Sequence, residues 1–372
     1  MPPSPPPSAT AVLAVDLAAI VANWRSLAAR LDGGECAAVV KADAYGLGAA
    51  QVAPLLAEAG CRTFFVATLE EGLALRPLLP GAALVALTGL LPGTEAEHSA
   101  RGIVPVLNSL EDIARWTAFA GRTGTAQPAW IHLDTGMNRL GLGAPEARTL
   151  AEQPERLAGI DLQGWISHLA CADTRFHPAS SAQLARFHRY LAALPKARRS
   201  LANSSGICRG RAFHLDLVRP GAALYGINPT PEAANPMRPV VSIAGRILQV
   251  RAVDTGMTVG YGAAHEVERH GRIATIAVGY ADGIPRSLGN RGRVFIGGLP
   301  APVVGRVSMD LITVDVTDLP DGAVRPGGWA ELIGPHQSVD EVAAAAGTIG
   351  YELLTGLSRR CHRVWLPPVT GD

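Results

Sequence analysis

The stretch "CAAVVKADAYGLG" (residues 36–48) decides the fold. Its first five residues, Cys36 to Val40, form an apolar run of the length and composition of a buried parallel strand. The run stops on Lys41, and a tyrosine and two glycines follow within seven residues. A lysine at the mouth of a buried strand can be a surface lysine whose stem lies over apolar neighbours. It can also be an amine held partly desolvated at a strand end, the setting of lysines that form imines with carbonyl compounds. The surrounding chain decides between the two.

Seven further apolar runs follow: "TFFVA" (63–67), "ALVALT" (83–88), "IVPVLN" (103–108), "AWIHLD" (129–134), "LQGWISH" (162–168), "RSLAN" (199–203) and "LDLVR" (215–219). Most are separated by stretches with helical spacing, such as "GAAQVAPLLAEAG" (48–60) and "SLEDIARWTAFAG" (109–121), where Ser109 and Asp112 form an N-cap pair. Strand–helix alternation implies a parallel sheet, and eight units imply a closed (β/α)8 TIM barrel over residues 11–235. An open doubly wound sheet is the alternative. After "NPTPEAANPM" (228–237), which reads as a linker, β-branched runs replace helices: 240–253, 272–280, 301–309 and 311–317. Residues 236–372 are therefore expected to form a mainly β C-terminal domain with one helix at "SVDEVAAAAG" (338–347). The opening MPPSPPPSAT (1–10) reads as a short disordered lead without the basic and apolar regions of a signal peptide.

Composition narrows the function. At 372 residues the chain exceeds a barrel of about 250 and leaves room for a second domain. Hydrophobic residues make up 48% and charged residues 17%, which suits a large packed core. A net charge of +1 favours neither nucleic acid nor an anionic membrane as partner. The five scattered cysteines suggest reduced thiols and a cytoplasmic address. His168, Cys171, Asp173 and His177 match no metal-ligand spacing, so no metal is expected.

In such barrels, chemistry gathers at the C-terminal ends of the strands, often with phosphate held after strands seven and eight. Lys41 follows strand one, Arg139 follows strand five and His168 ends strand six. Asn203 and Ser204 follow strand seven, and Arg219 ends strand eight. Gly206 and Gly221 would let backbone N–H groups approach a phosphate, with Ser204 as a hydroxyl donor. Taken singly, "RPG" and "NSSG" are ordinary turn chemistry and a lone loop arginine is a surface residue. Taken with Lys41, they describe a site for a phosphate, a ring and an imine-forming amine.

These residues resemble alanine racemase, the pyridoxal-phosphate enzyme of barrel fold. The resemblance covers nearly the whole chain, through "AVVKADAYGLG" (38–48), "HLDTGMNRLG" (132–141), "SHLACAD" (167–173), "ANSSG" (202–206), "RPGAALYGINP" (219–229), "TVGYGA" (258–263), "AVGYADG" (277–283), "VVGRVSMD" (303–310) and "GTIGYELLTGLSRR" (347–360). It implies interconversion of L- and D-alanine through a pyridoxal 5'-phosphate aldimine by two bases, supplying D-alanine for peptidoglycan. It also implies a homodimer whose active sites are shared between subunits. By position, Lys41 resembles the aldimine lysine and one base, and Tyr261 the second base from the partner subunit. Arg219 matches the arginine facing the pyridine nitrogen, with His168 close to it. Tyr45, Asn203, Ser204, Gly221, Ala222 and Tyr351 match cofactor-binding positions. Arg139 matches the arginine near the cofactor's phenolic oxygen and the substrate carboxylate, which Met309 also meets. Tyr280 and Arg286 resemble residues of the substrate entrance.

The chemistry accounts for these residue types. Racemisation takes a proton from one face of Cα and returns one to the other, so two opposed bases are the simpler design. Lysine and tyrosine titrate near 10, and a cationic pocket lowers both. One position departs from the family pattern. Many members carry a carbamylated lysine seven residues before the matched arginine, where this chain has His132. A neutral imidazole cannot supply that negative charge, so Arg139 must be held otherwise. The alternatives are a broader small-amino-acid (serine) racemase and a pyridoxal-phosphate barrel decarboxylase. The decarboxylase's glycine-rich phosphate loop and trans-acting cysteine are not apparent.

Overall fold

The structure, a computed structural model, describes residues 5–367. It divides into two compact units. One comprises Val21–Leu224 and Asn228–Met237; the other comprises the residues up to Ile20, Tyr225–Ile227 and the chain from Arg238 onward.

The first unit is the barrel. Its first strand is split into Glu35–Cys36 and Ala38–Val39. Thr63–Val66, Ala83–Ala86, Ile103–Leu107, Gln127–His132, Ile160–Ile166, Arg198–Asn203 and Leu217–Arg219 follow, each parallel to its predecessor. The ring closes because Leu217 and Val218 pair with Glu35 and Cys36, while Ala38 and Val39 pair with Phe64 and Phe65. Each strand was legible as an apolar run because both faces of a parallel barrel strand are covered. Phe64, Phe65 and Trp165 are among the largest fully buried side chains. Helices alternate with the strands. Ser109 caps Leu110–Thr123 by accepting the Asp112 N–H at 3.1 Å, as the spacing predicts. The linker residues 228–237 fold onto this unit, with Glu232 paired to Arg209 at 2.6 Å.

The second unit is mainly β. Its spine is the long strand Val241–Val253, which pairs antiparallel with Ala11–Asp16, Gly271–Ile276 and Trp329–Ile333. His362–Leu366 pairs parallel with Ala11–Asp16 on the other side. The predicted helix is Val339–Ala346, closed by a capping box between Ser338 and Glu341, and a short helix Gly350–Thr355 follows it. Val253, Val259, Val267, Ile273 and Val304 form one apolar cluster.

Two expectations at the N-terminus need correction. Ala11–Asp16, placed with the barrel from its position in sequence, is a strand of the second unit's sheet. "AVLAV" is buried on both faces and its hydrogen bonds are met by strands more than 200 residues away in sequence. Residues 1–4 of the expected disordered lead lie outside the described residues. The remainder is ordered: Ala9 is buried, and Arg246 donates to the carbonyls of Ala9 and Thr10 at 3.0 and 2.7 Å.

Candidate active site

Lys41 stands at the C-terminal end of the first barrel strand, directly after Val40, whose N–H donates to Phe65 O at 2.9 Å. The chain then makes an unusual turn. Ala42, Asp43, Ala44 and Tyr45 all have φ between 53° and 56°, a left-handed turn built without glycine. Such a conformation costs an L-residue about 1–2 kcal/mol, so the surroundings must hold it. Glu71 does much of this: one carboxylate oxygen accepts the Ala42 N–H and the other the Ala67 N–H, both at 2.7 Å. Asp43 accepts the Ala49 N–H at 2.8 Å, which ties the turn to the helix Ala49–Glu58. The reversed hand buries Tyr45 with its hydroxyl against Gly221, where a Cβ would lie 2.3 Å from that oxygen. A larger residue at 221 would have to push the tyrosine hydroxyl aside.

The ends of strands seven and eight are tied together beside this tyrosine. The buried Ser204 Oγ accepts the N–H groups of Gly221 at 3.0 Å and Ala223 at 3.2 Å. Asn203 accepts the Gly206 N–H at 2.9 Å and so caps the short helix Ser204–Arg209.

Arg219 is 4% exposed. Its guanidinium donates to Ser200 Oγ, to Ser167 O at 2.5 Å and to Leu201 O at 3.5 Å, and lies 3.5 Å from His168 Nδ1. All these acceptors are neutral, and among the described residues no carboxylate pairs with it. Burial pulls its pKa down to about 9, so it stays protonated at neutral pH. His168 is pushed down to about 3 by burial, then by Arg219, Arg139, Lys41 and His132. Lys41 is lowered by burial and by Arg139, against an opposing pull from Glu71. The rim thus gathers an amine with weakened hold on its proton, two guanidinium groups and a neutral histidine.

Arg139 is exposed and sits in the loop after strand five. Asp134 accepts the N–H groups of Gly136, Met137 and Asn138 at 2.9, 3.0 and 3.2 Å, which fixes the loop's shape. Gln183 joins this loop to strand six: it donates to Thr135 Oγ1 at 3.2 Å and His168 O at 2.8 Å, and accepts the Ala170 N–H at 2.8 Å.

The remaining candidates lie in the second unit. Tyr261 is 72% exposed, in a turn between the paired strands Thr258–Val259 and His265–Glu266. Tyr280 donates its N–H to Ser308 O at 3.0 Å and Ala281 donates to Met309 O at 2.9 Å, so Tyr280 and Met309 sit on adjoining turns. Arg286 opens the short turn Arg286–Leu288, and Tyr351 lies in the helix Gly350–Thr355.

Several residues that shape the rim were not singled out from sequence. Glu71 carried a signal, since Thr68 three residues earlier marks a helix start, and Thr68 Oγ1 indeed accepts the Glu71 N–H at 3.3 Å. Ser167, Ser200, Asn108 and Gln183 gave none, because serine and asparagine at strand ends and glutamine on a helix are ordinary there. Among the described residues no His, Cys, Asp and Glu side chains gather in a group of three able to hold a metal ion. No helix there is long and apolar enough to cross a membrane.

Comparison with known proteins sets this geometry in context. The family model "Alanine racemase, N-terminal domain" matches residues 15–229, and "Alanine racemase, C-terminal domain" matches residues 240–365. An alanine racemase of Acidiphilium cryptum is 54% identical over 352 residues, covering 95% of this chain and 98% of the relative. One of Rhodospirillum rubrum is 51% identical over 357 residues, covering 95% and 96%. The crystal structure of alanine racemase from Bartonella henselae with covalently bound pyridoxal phosphate superposes with a TM-score of 0.94. It is 44% identical and covers 96% of this chain and 100% of that one.

Proposed function

The chain belongs to the alanine racemase family, and from that premise we infer that it interconverts L-alanine and D-alanine with pyridoxal 5'-phosphate as cofactor. The observation that carries the reading is the match to both domain models of the family, one after the other along the chain. A barrel-only cofactor-binding protein would leave the second unmatched.

The residues present fit the cofactor. Arg219 is a buried cation with only neutral acceptors, and Lys41 faces further positive charge from Arg139. An anionic group relieves that excess of positive charge. Ser204, Gly221, Ala222, Tyr45, Asn203 and Tyr351 would hold the phosphate end, and Lys41 would bond the aldehyde carbon. The cofactor supplies a conjugated ring that spreads the charge left when Cα loses its proton.

The chain's own groups do the rest. Lys41 Nζ takes or returns the proton on one face of Cα, and its lowered pKa suits a base working near neutrality. Tyr261 Oη serves the other face. By its match to the family pattern we assign it to the site of a second copy of the chain, and its 72% exposure leaves it available for that. Tyr280, Met309, Ile349 and Tyr351 are also exposed apolar or aromatic residues of the second unit, which supports a homodimer. Arg139 and the backbone of Met309 would hold the substrate carboxylate, with Tyr280 and Arg286 at the entrance. Arg219, by position the arginine facing the ring nitrogen, keeps its protons. With the cofactor bound it would have none to give that nitrogen, which would disfavour transamination. Supply of D-alanine to peptidoglycan in the cytoplasm is the role such an enzyme would fill.

Incubating L-alanine with the holoenzyme in deuterated water tests the reading. Both enantiomers with deuterium at Cα are expected; carbon dioxide release without D-alanine would contradict it. Tyr261→Phe is expected to slow one direction of proton transfer more than the other, and symmetric near-wild-type rates would reject Tyr261 as a base.

A further inference from the structure

Tyr261 stands on a turn with little support of its own. Gly260, Gly262 and Ala263 have φ of 77°, 70° and 48°, and for Ala263, which carries a Cβ, that conformation is disfavoured. The flanking strands Thr258–Val259 and His265–Glu266 are two residues each and pair only with one another. So short a ladder is marginal by itself.

Asn290 supplies the missing support. Its Nδ2 donates to Ala264 O, three residues past Tyr261, at 2.8 Å, and its Oδ1 accepts the Gly305 N–H at 2.6 Å. A carbonyl only accepts and an N–H only donates, so these two partners fix which way the amide points. Among the described residues no other side chain hydrogen-bonds to residues 260–264. Asn290 itself has φ 56°, in the left-handed region that asparagine tolerates better than most residues. Its two bonds span a set of close backbone contacts. A Cβ on Gly289 would lie 2.7 Å from Gly305 O, and one on Gly305 would lie 2.8 Å from Val259 O. One on Gly262 would lie 3.2 Å from the guanidinium carbon of Arg306. Segments 289–290, 305–306 and 259–264 therefore meet closely, and Asn290 ties all three. Met309 follows Arg306 by three residues, so the same tie links the turn of Tyr261 to the segment carrying Met309.

We propose that Asn290 is a positioning residue for Tyr261, clamping its turn to the 305–309 segment so that the phenol is presented in one place. The proposal rests on the reading of Tyr261 as a base, and Asn290 acts only through it. Proton transfer needs the base within hydrogen-bond reach of Cα, and a small misplacement lowers its rate steeply. Asn290 is exposed, so removing its side chain opens no cavity in the core. Its loss should therefore appear in the chemistry of one face of Cα before it appears in stability.

Asn290→Gly tests it on the holoenzyme, since glycine keeps the positive φ and removes both bonds. A drop in kcat of about tenfold is expected. The deciding readout is the primary isotope effect on kcat/KM, measured with α-deuterated L-alanine and with α-deuterated D-alanine. The effect is expected to rise for the enantiomer whose proton transfer Tyr261→Phe slows, and to fall for the other. A general loosening of the fold would lower the rate with both effects unchanged. Asn290→Asp keeps the acceptor for Gly305 and loses the donor to Ala264, and the same divergence is expected. Amide hydrogen exchange supplies a readout independent of activity: Gly305 N–H should be protected in the unaltered holoenzyme and exchange faster in Asn290→Gly, together with residues 258–264. Unchanged isotope effects in both variants would overturn the proposal, as would an unprotected Gly305 in the unaltered protein. If Tyr261→Phe slows neither direction selectively, the base assignment fails instead, and exchange at Gly305 still judges the clamp.

Discussion

The Glu71 carboxylate accepts the Ala42 N–H at 2.7 Å, one residue past Lys41, and so clamps the left-handed turn on which the lysine is mounted. Its second oxygen holds Ala67 at the end of the neighbouring strand at the same distance. One side chain therefore fixes the amine's support to the barrel wall. Glu71→Ala removes two charge-assisted bonds and leaves two backbone donors unmet, a loss of about 2–3 kcal/mol after allowing for partial solvent access. Urea unfolding should show that loss, and titration with pyridoxal phosphate should show weaker retention of the cofactor. Equal stability and equal retention would mean the turn holds itself.

Arg219 offers a second prediction. Replacing it by glutamate places a group able to share a proton where a guanidinium kept its own. The fraction of turnovers ending in pyruvate and the aminated cofactor is expected to rise. The substitution also sets a carboxyl group against the carbonyls of Ser167 and Leu201, so the yield of folded protein will fall. The partition ratio is counted per turnover and is independent of that yield. An unchanged ratio contradicts the assigned role.

Acid should weaken the fold in a defined window. His168 and His132 are held near 3 and 4, whereas unfolded histidine titrates near 6.5. Between those values the unfolded chain binds more protons than the native one. The stabilisation from keeping both rings neutral is therefore complete above about pH 6.5 and is lost as pH falls toward 3–4. Each ring contributes a slope of at most about 1.4 kcal/mol per pH unit. His168→Gln should flatten the dependence measured by denaturant unfolding across that range. An equally steep curve would show that His168 is not the source.

Much of this was legible in the sequence, and the limits have physical causes. The barrel strands read as apolar runs closed by polar residues, and the chain turns polar there because the strands end at a rim. Lys41, His168 and Arg219 stood out for the same reason: each terminates such a run. Ala11–Asp16 was misplaced because a buried strand carries no mark of which sheet it joins, and here its partners lie at the far end of the chain. The left-handed turn was not foreseen, since "ADAY" has no glycine to announce positive φ and depends on Glu71 for support. The hydroxyls of Ser167 and Ser200 and the amide of Asn108 acquire meaning only when neighbouring strands bring them to Thr135, Arg219 and His132.

The central claim is that the amine at the end of the first barrel strand bonds the cofactor's aldehyde carbon. Borohydride treatment of the holoenzyme followed by peptide mapping tests it most directly. The account predicts a reduced pyridoxyl group on Lys41 and loss of the bound chromophore's absorbance. An unmodified Lys41, or the adduct on Lys196 instead, would contradict it.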